Sequence, residues 1–252
     1  MIMRVNWYDS HIGFSNKDEI LGGAEPIGVP EKLSTPYFSD ESLKSEHDLK
    51  SQYCVEFSSK TENYCIGLVD MVDSTKISAR IGWARSTRYY QLFLNSMSEI
   101  LKRFGGFVIK NVGDCLVYYF PESSKRDRKF GFMSCIECSL AMIESHNYFT
   151  QILSQEGLPM VDYRISADYG SVVIMKSNGT SVPDMIGPPV NMCSKINHYA
   201  TRNGIVIGGD MYEMVKDFED YSFKEVQSLS LGFKYSYPVY SVTRKKKGGN
   251  LR

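Results

Sequence analysis

An apolar segment that ends in acidic residues, "YCIGLVDMVDSTKIS" at 64–78, constrains the fold of this chain most strongly. Its first half predicts a buried β-strand at about 63–71, because a short apolar run with β-branched residues is typical of a sheet interior. Asp70 closes that strand, and Asp73 follows three residues later. Turns and helix caps are common settings of aspartate, so either acid alone has a structural explanation. Whether Asp70 has a chemical role therefore depends on the acidic residues that the fold brings near it.

Strand and helix patterns alternate after this segment. A helix with apolar residues at helical spacing ends at Gly105-Gly106, and "GFVIKNVGDCLVYYF" reads as a hairpin that turns at Val-Gly-Asp. The remaining pattern predicts a long helix at about 127–156, paired strands "YRISADYG" and "SVVIMKS", a short helix at about 188–200, a strand "GIVIGGD", another short helix and two closing strands. Neither a dinucleotide-binding GxGxxG nor a P-loop motif is present. The pattern predicts an α+β fold with a largely antiparallel sheet.

The charge balance and the cysteines limit the class of protein. Lys+Arg and Asp+Glu both total 29 in 252 residues, which excludes the broad positive surface that drives non-specific nucleic-acid binding. No apolar run reaches the roughly 20 residues of a membrane helix, and the first 30 residues lack a signal-peptide pattern. The six scattered cysteines, including the pair in "CIEC" at 135–138, predict reduced thiols. We expect a soluble cytoplasmic protein with no membrane span and no nucleic-acid partner.

The polarity of the chain predicts three regions. Residues 1–58 are polar, show no sustained period and include a charged stretch at 39–52 that could form a helix. This region is predicted to be an N-terminal extension, and its role cannot be read from its sequence. Residues 59–243 hold the alternating elements and are predicted to be one folded domain, and residues 244–252 are predicted to be a basic flexible tail.

Asp70 and Asp114 are predicted to lie at adjacent strand ends, one after an apolar strand and the other in the turn of the hairpin. Two carboxylates in this position can hold hard divalent cations, which take oxygen ligands and bridge carboxylates to phosphates. The segment "DMVDST" leads into a helix whose first N–H groups can bind a phosphate. Together these features indicate nucleotide chemistry.

Three sequence blocks resemble the class III nucleotidyl cyclases, in the order in which that family carries them. "DMVDST" matches the block D-I-x-x-[FS]-[ST] through Asp70, Met71 and Thr75, and "KNVGD" matches K-x-[IV]-G-D in full. "DMIGPPVNMCSK", from Asp184 to Lys195, matches the block D-[IVY]-x-G-x-x-[VL]-N-x-[AS]-[SA]-[RK]. The resemblance covers roughly residues 60–243. It implies a ferredoxin-like or palm-type, mostly antiparallel sheet flanked by helices, and an enzyme that cyclises a nucleoside triphosphate.

The resemblance also implies roles for the residues of the first two blocks. Asp70, Asp114 and the carbonyl of Met71 would hold two Mg²⁺ or Mn²⁺ ions. The β- and γ-phosphates would be cradled by the backbone of Val72, Asp73, Ser74 and Thr75. The carboxylate of Asp73 would repel the triphosphate unless it points to solvent.

Base recognition is implied for Lys110 and Asp184. Adenylate cyclases carry Lys and Asp or Thr at these two positions, whereas guanylate cyclases typically carry Glu and a small polar residue. The pair found here predicts an adenylate cyclase that converts ATP to 3′,5′-cyclic AMP and pyrophosphate. A cyclase for GTP or a pyrimidine nucleotide is the nearest alternative, since few contacts read the base.

Asn191 and Lys195 lie four residues apart on a predicted helix, so they project from one face. The resemblance implies that Asn191 orients the ribose and that Lys195 stabilises the charge developing on the α-phosphate. The family usually has arginine at the second position, and Lys195 lacks its bidentate fork. Lys234, in "LSLGFKYSYPVY", is the candidate for a further phosphate contact, although a solvated loop lysine is the commoner explanation.

The family's catalytic cleft lies between two domains that face head to tail. Because this chain carries both sets of site residues in a single domain, the resemblance implies a symmetric homodimer with two composite sites. The sequence is also compatible with two non-catalytic hypotheses. One is a catalytically silent, nucleotide-binding regulatory domain of the same fold, and the second is a palm-like or plain α+β binding module in which the two acids coincide by chance.

Overall fold

The computed structural model describes residues 54–125, 127–178, 183–230 and 236–245. The strands are β1 Val55–Met71, β2 Phe107–Val112, β3 Cys115–Phe120, β4 Tyr163–Ser177, β5 Asp184–Ile186, β6 Gly204–Gly208, β7 Tyr221–Ser230 and β8 Ser236–Arg244. The α-helices are α1 Ser74–Ile81, α2 Trp83–Arg103, α3 Arg128–Glu144, α4 His146–Gln155, α5 Pro188–Ile196 and α6 Gly209–Val215. Short 3₁₀ turns cover Pro121–Ser124 and Asn197–Tyr199.

The strands of these residues form one sheet in the order β2-β3-β1-β4-β6-β8-β7, with β5 paired to β4. Every neighbouring pair is antiparallel except β4 and β6, which are parallel. Asp70 at the end of β1 lies opposite Arg164 near the start of β4, and Arg164 lies opposite Gly204 at the start of β6. One edge of the sheet therefore collects the end of β1 and the starts of β4 and β6.

The larger core lies between one face of the sheet and helices α2, α3, α4 and α6. Helix α2 contributes Tyr89, Phe93, Met97 and Leu101, all buried, and residues four apart lie on one face of a helix. Each of these side chains stabilises the fold by about 2 kcal/mol on burial. The helix ends where the chain reaches Gly105, whose φ of 73° suits glycine.

Helix α5 covers the opposite face of the sheet, against Ile66 and Leu68 of β1 and Val172 of β4. The thiol of Cys193 donates to the carbonyl of Ile66 at 3.2 Å, and the Ser166 hydroxyl donates to the carbonyl of Cys193 at 2.8 Å. Alternate residues of a strand share a face, so Asp70 continues the row of Ile66 and Leu68. The acidic end of β1 thus lies on the face that carries α5.

The antiparallel α+β prediction is confirmed, and two details of it are wrong. "YRISADYG" and "SVVIMKS" form the single strand β4, because the ladder to β1 continues through Gly170 and Ser171 without a turn. The predicted helix at 127–156 is two helices. It breaks at Ser145, because the carbonyl of Met142 accepts hydrogen bonds from the hydroxyls of Ser145 and Tyr163 at 2.7 and 2.5 Å.

Strand β1 also begins earlier than predicted, at Val55, within the region predicted to be an extension. The rest of that extension, Lys234 and the basic tail from residue 246 lie outside the described residues. All six cysteines are free thiols, and Cys135 and Cys138 are buried in α3. Among the described residues, no helix combines the length and the hydropathy that a membrane crossing requires.

Candidate active site

The ends of β1 and of the β2–β3 hairpin bring Asp70 and Asp114 together. Val69 lies opposite Leu116, so the hairpin turn that carries Asp114 lies beside the end of β1. Both carboxylates are half-buried. The pKa of Asp70 is raised to about 6, chiefly by burial and then by the negative charge of Asp114, while the positive charge of Arg164 opposes the rise. Two half-buried oxygen ligands that repel each other fit a hard divalent cation, which would remove the repulsion.

Cys115 follows Asp114 and lies close to the same charges. Burial raises the pKa of its thiol to about 12, with Asp70 and Asp114 adding to the effect. The thiol is therefore neutral at physiological pH and adds no charge to the site.

Arg164 is a site residue that the sequence analysis missed. It lies opposite Asp70 on β4, and its buried Nε has no hydrogen-bond partner among the described residues. Buried polar groups are normally hydrogen-bonded, so an unpaired donor on the residue opposite Asp70 makes Arg164 a candidate site residue. The available signal was a single arginine in the otherwise apolar start of "YRISADYG".

The turn that follows β1 was predicted to cradle phosphates. Met71 and Val72 are buried, and the N–H of Val72 donates to the carbonyl of Asp162 at 2.8 Å. Asp73 adopts the left-handed conformation, with φ of 57°, and α1 begins at the next residue. The N–H of Val72 is thus used within the fold. The N–H groups at the start of α1, at Ser74 and Thr75, have no partner within the helix.

The carboxylate of Asp73 is exposed but paired. Its oxygens accept from Lys76 Nζ at 2.9 Å and from Arg202 Nη2 at 2.6 Å, and these bonds lower the pKa of Asp73. Its charge is therefore balanced by two cations. Arg202 was not identified in the sequence, because the contact joins residues on distant parts of the chain.

The two residues predicted to read the base also meet. Lys110 on β2 donates from Nζ to Asp184 Oδ2 on β5 at 2.5 Å. Oδ1 of Asp184 accepts from the N–H of Met185 at 2.7 Å, which fixes the carboxylate plane. Both side chains are partly exposed, so a ligand can reach them.

Asn191 and Lys195 both lie on α5. The helix packs on the sheet side through Pro189, Met192, Cys193 and Ile196, whereas Asn191 and Lys195 are exposed on its other side. The described structure therefore divides the predicted site into three parts. They are the carboxylate pair with its turn, the Lys110–Asp184 pair and the outer face of α5.

A family model described as the adenylate and guanylate cyclase catalytic domain matches residues 57–243. The comparison with curated proteins found no match. Solved structures share the fold at low identity. The adenylyl cyclase CyaB from P. aeruginosa is 20% identical with a TM-score of 0.67, over 75% of this chain and 97% of that one.

Two fungal structures are also similar. The guanylate cyclase domain of RhGC from Catenaria anguillulae, solved in complex with GTP, is 20% identical with a TM-score of 0.63, over 75% of this chain and 100% of that one. The dimeric guanylyl cyclase domain of RhoGC from the aquatic fungus Blastocladiella emersonii is 18% identical with a TM-score of 0.62, again over 75% and 100%. Since the family model covers most of the chain, this protein belongs to the adenylate and guanylate cyclase catalytic domain family.

Proposed function

We propose that this cyclase domain acts on ATP and releases 3′,5′-cyclic AMP and pyrophosphate. The observation that carries the choice of base is the Lys110–Asp184 pair. An ammonium donates to a ring nitrogen acceptor, and a carboxylate accepts from an exocyclic amine, which is the pattern of adenine N1 and N6. Guanine presents the opposite pattern at the same two atoms, a donor and a carbonyl acceptor.

The reaction is an in-line attack of the ribose 3′-hydroxyl on the α-phosphate, so the protein contributes mainly position and charge. Asp70, Asp114 and the carbonyl of Met71 would hold two Mg²⁺ or Mn²⁺ ions, whose charge would make the hydroxyl more acidic and neutralise the leaving pyrophosphate. The raised pKa of Asp70 is consistent with this assignment, because it reflects burial first and then the nearby negative charge of Asp114, against the opposing charge of Arg164. The N–H groups of the turn at 73–75 bind the terminal phosphates.

Three cationic or polar side chains complete the proposed site. Arg164, whose Nε lacks a partner among the described residues, contacts the triphosphate beside Asp70. Asn191 orients the ribose, and Lys195 stabilises the charge on the α-phosphate as a point charge rather than a fork. Lys234 stays a candidate phosphate contact on sequence grounds alone.

Because Asn191 and Lys195 occupy the outer side of α5, we propose that they serve the metal-binding residues of a second copy. An isologous dimer then repeats each role and forms two equivalent sites. The exposed side of α5 supports this assembly, since neither side chain is committed to the core of its own domain.

Incubation of the protein with each of the four nucleoside triphosphates and Mn²⁺, followed by mass spectrometry of the products, tests the proposal. We expect cyclic AMP as the main product. Cyclic GMP or a cyclic pyrimidine nucleotide as the main product would show a different cyclase of this family. Nucleotide binding without any cyclic product would show a regulatory domain instead.

A further inference from the structure

A cluster of charged side chains links the turn at 72–75, which we call the phosphate turn, to the segments that precede β4 and β6. Arg202, just before β6, donates from Nη2 to Asp73 Oδ2 at 2.6 Å and from Nη1 to Asp162 Oδ2 at 3.0 Å. Asp162 precedes β4, and its carbonyl accepts from the N–H of Val72 at 2.8 Å. One guanidinium therefore joins the segment after β1 to the segments before β4 and β6.

The backbone of this cluster is conformationally demanding. Among the described residues, the non-glycine positions with positive φ are Asp73 at 57° and Asn203 at 55°, and both belong to the cluster. Asn203 donates from Nδ2 to Asp162 Oδ1 at 2.7 Å, and its Oδ1 accepts from the N–H of Tyr163 at 3.1 Å. Strained backbone persists where the surroundings determine it in several ways, and it is concentrated at functional sites.

Helix α1 makes few apolar contacts with the core, so these contacts hold its start only weakly. None of the residues of α1 is buried, although Ile77 and Ile81 pack partly against the core. Lys76 also binds Asp73, but it lies on α1 itself, so that ion pair does not connect the turn to the sheet. Among the described residues, two polar contacts connect this turn to the segments before β4 and β6. They are the hydrogen bond from the N–H of Val72 and the ion pair of Asp73 with Arg202.

We propose that Arg202 is a positioning residue for the terminal phosphates of the substrate, acting through Asp73. The bridge holds the Asp73 turn in the conformation in which its N–H groups face the ligand, and it balances a carboxylate that otherwise repels the triphosphate. This inference rests on the proposed cyclase function, because it assigns a role to the phosphate turn of that site. Arg202 itself contacts Asp73 and Asp162, so its effect on catalysis is indirect.

The kinetic test is a double-mutant cycle on the full chain. We expect Arg202→Ala to raise KM for the nucleotide about tenfold with kcat changed less than about twofold, since it weakens binding shared by ground and transition states. In an Asp73→Gly background, where no carboxylate is left to hold and glycine accepts the positive φ, the same change should alter KM less than about twofold. Equal effects in both backgrounds, or no effect in the natural one, would overturn the proposal. Arg103→Ala is the matched control, because Arg103 is exposed and makes only a loose pair with Glu99 at 3.7 Å.

A second measurement does not depend on turnover. Hydrogen–deuterium exchange of the peptide covering 72–81 in the ligand-free protein should become faster in Arg202→Ala and stay unchanged in Arg103→Ala. If the natural protein makes no cyclic nucleotide, the proposed function fails, and the exchange result still decides whether the bridge holds the turn. If the enzyme is active and neither exchange nor KM responds to Arg202→Ala, the positioning role alone is wrong. Should Arg202→Ala fail to fold, Arg202→Lys keeps one charge without the fork and should show an intermediate change in both measurements.

Discussion

Asp70 and Asp114 form a pair of half-buried carboxylates, whose mutual repulsion a bound cation would relieve. Burial raises the pKa of Asp70 to about 6, and the charge of Asp114 acts in the same direction. Arg164 offsets only part of this effect. At the scale of single residues, the site is therefore organised for binding at the expense of stability, a trade that is common at functional sites.

We expect Asp70→Asn and Asp114→Asn each to lower turnover by about a thousandfold or more, because one carboxylate cannot hold two ions. Without metal, the same variants should melt at an equal or higher temperature than the natural protein, since the repulsion between the carboxylates is gone. Turnover with Mn²⁺ and thermal melting in a chelator check both parts. Asp217→Asn, at an exposed position, is the control, and lower stability in the two site variants would contradict this account.

Asp168, in the middle of β4, is a second unusual carboxylate. It is 1% exposed, and burial raises its pKa from the ordinary 3.8 to about 7, although hydrogen bonds from the hydroxyl of Tyr237 at 2.7 Å and the N–H of Met211 at 3.4 Å oppose the shift. The folded protein therefore binds a proton more tightly at this group than the unfolded chain does. Its contribution to stability is greatest below about pH 4 and is lost as the pH rises to about 7.

The melting temperature should consequently fall between about pH 5 and about pH 8, and Asp168→Asn should reduce that fall by about 5 °C. An asparagine can accept from Met211 and donate to Tyr237, so the variant is expected to fold. Melting curves of both proteins across this range, without nucleotide, measure the difference. Parallel curves would show that Asp168 keeps the same protonation in both states.

At the scale of elements, short strands place the base-reading residues. β5 has three residues and pairs with β4 at Met175 opposite Asp184, while Lys110 follows an irregularity in the β2–β3 ladder. Lys110 and Asp184 meet although their strands pair with different neighbours, β2 with β3 and β5 with β4. The recognition pair can therefore be changed without altering a helix or the core.

The double variant Lys110→Glu with Asp184→Ser should lower kcat/KM for ATP by about a hundredfold and raise turnover of GTP, since it inverts the donor and acceptor pattern. Parallel assays with both nucleotides and Mn²⁺ measure the change. Lys102→Glu, at an exposed position late in α2, controls for the added negative charge. An unchanged preference for ATP would mean that other residues read the base.

Helix α3 packs closely against the 3₁₀ turn after β3, and this contact limits how near the two elements can lie. A Cβ on Gly131 would lie 2.3 Å from the backbone nitrogen of Ser123, so the two elements meet at a position without a side chain. Ser123 in turn accepts from the N–H of Cys65 at 2.7 Å, which connects this contact to β1.

Gly131→Ala should therefore destabilise the fold by about 2–3 kcal/mol and lower the melting temperature by about 4–10 °C, because backbone atoms must move apart. Thermal and urea unfolding measure the effect. The neighbouring Phe130 is 65% exposed, and Phe130→Ala should change stability little. A small effect of Gly131→Ala would show that α3 can shift without strain.

For the whole molecule, the positions of the proposed site residues decide whether one copy or two copies form a complete site. The carboxylate pair, the Lys110–Asp184 pair and the outer side of α5 are three separate groups on one domain. A composite site in a symmetric dimer would unite the carboxylates of one copy with the remaining two groups of its partner. Light scattering across the assayed concentrations should accordingly show a dimer in the active protein.

Complementation gives a sharper test. Asp70→Asn and Asn191→Ala should each be inactive alone, while an equal mixture should regain about one quarter of natural activity. Half of the mixed dimers are hybrids, and each hybrid has one site with both residues intact. Mixing Asp70→Asn with Asp114→Asn is the control, because in every dimer each copy then has one changed residue in its own carboxylate pair, so no intact site should form. Activity that stays absent in the first mixture would place all catalytic residues within one copy.

The local chemistry of the chain was readable from its residues. The apolar run to Asp70, the hairpin turning at Gly113-Asp114 and the helical spacing of α2 all appear where their patterns predict them, because burial and turn geometry act on neighbouring residues. The resemblance of three short blocks indicated the family before any contact was known. The predictions of single elements were wrong where pairing with a distant part of the chain overrides local preference. In β4, Gly170 was predicted to end a strand, but it pairs with β1 and the strand continues.

Only the tertiary structure decided which charges meet. Arg164 lies beside Asp70, and Arg202 bridges Asp73 to Asp162, through strand register and through turns that follow different strands. A sequence pattern reports the period of an element, whereas a pairing between elements depends on how the sheet is ordered and aligned. The sequence by itself therefore determined the family and the positions of the acidic residues at the strand end and the hairpin turn, and the fold decided which cations lie beside them.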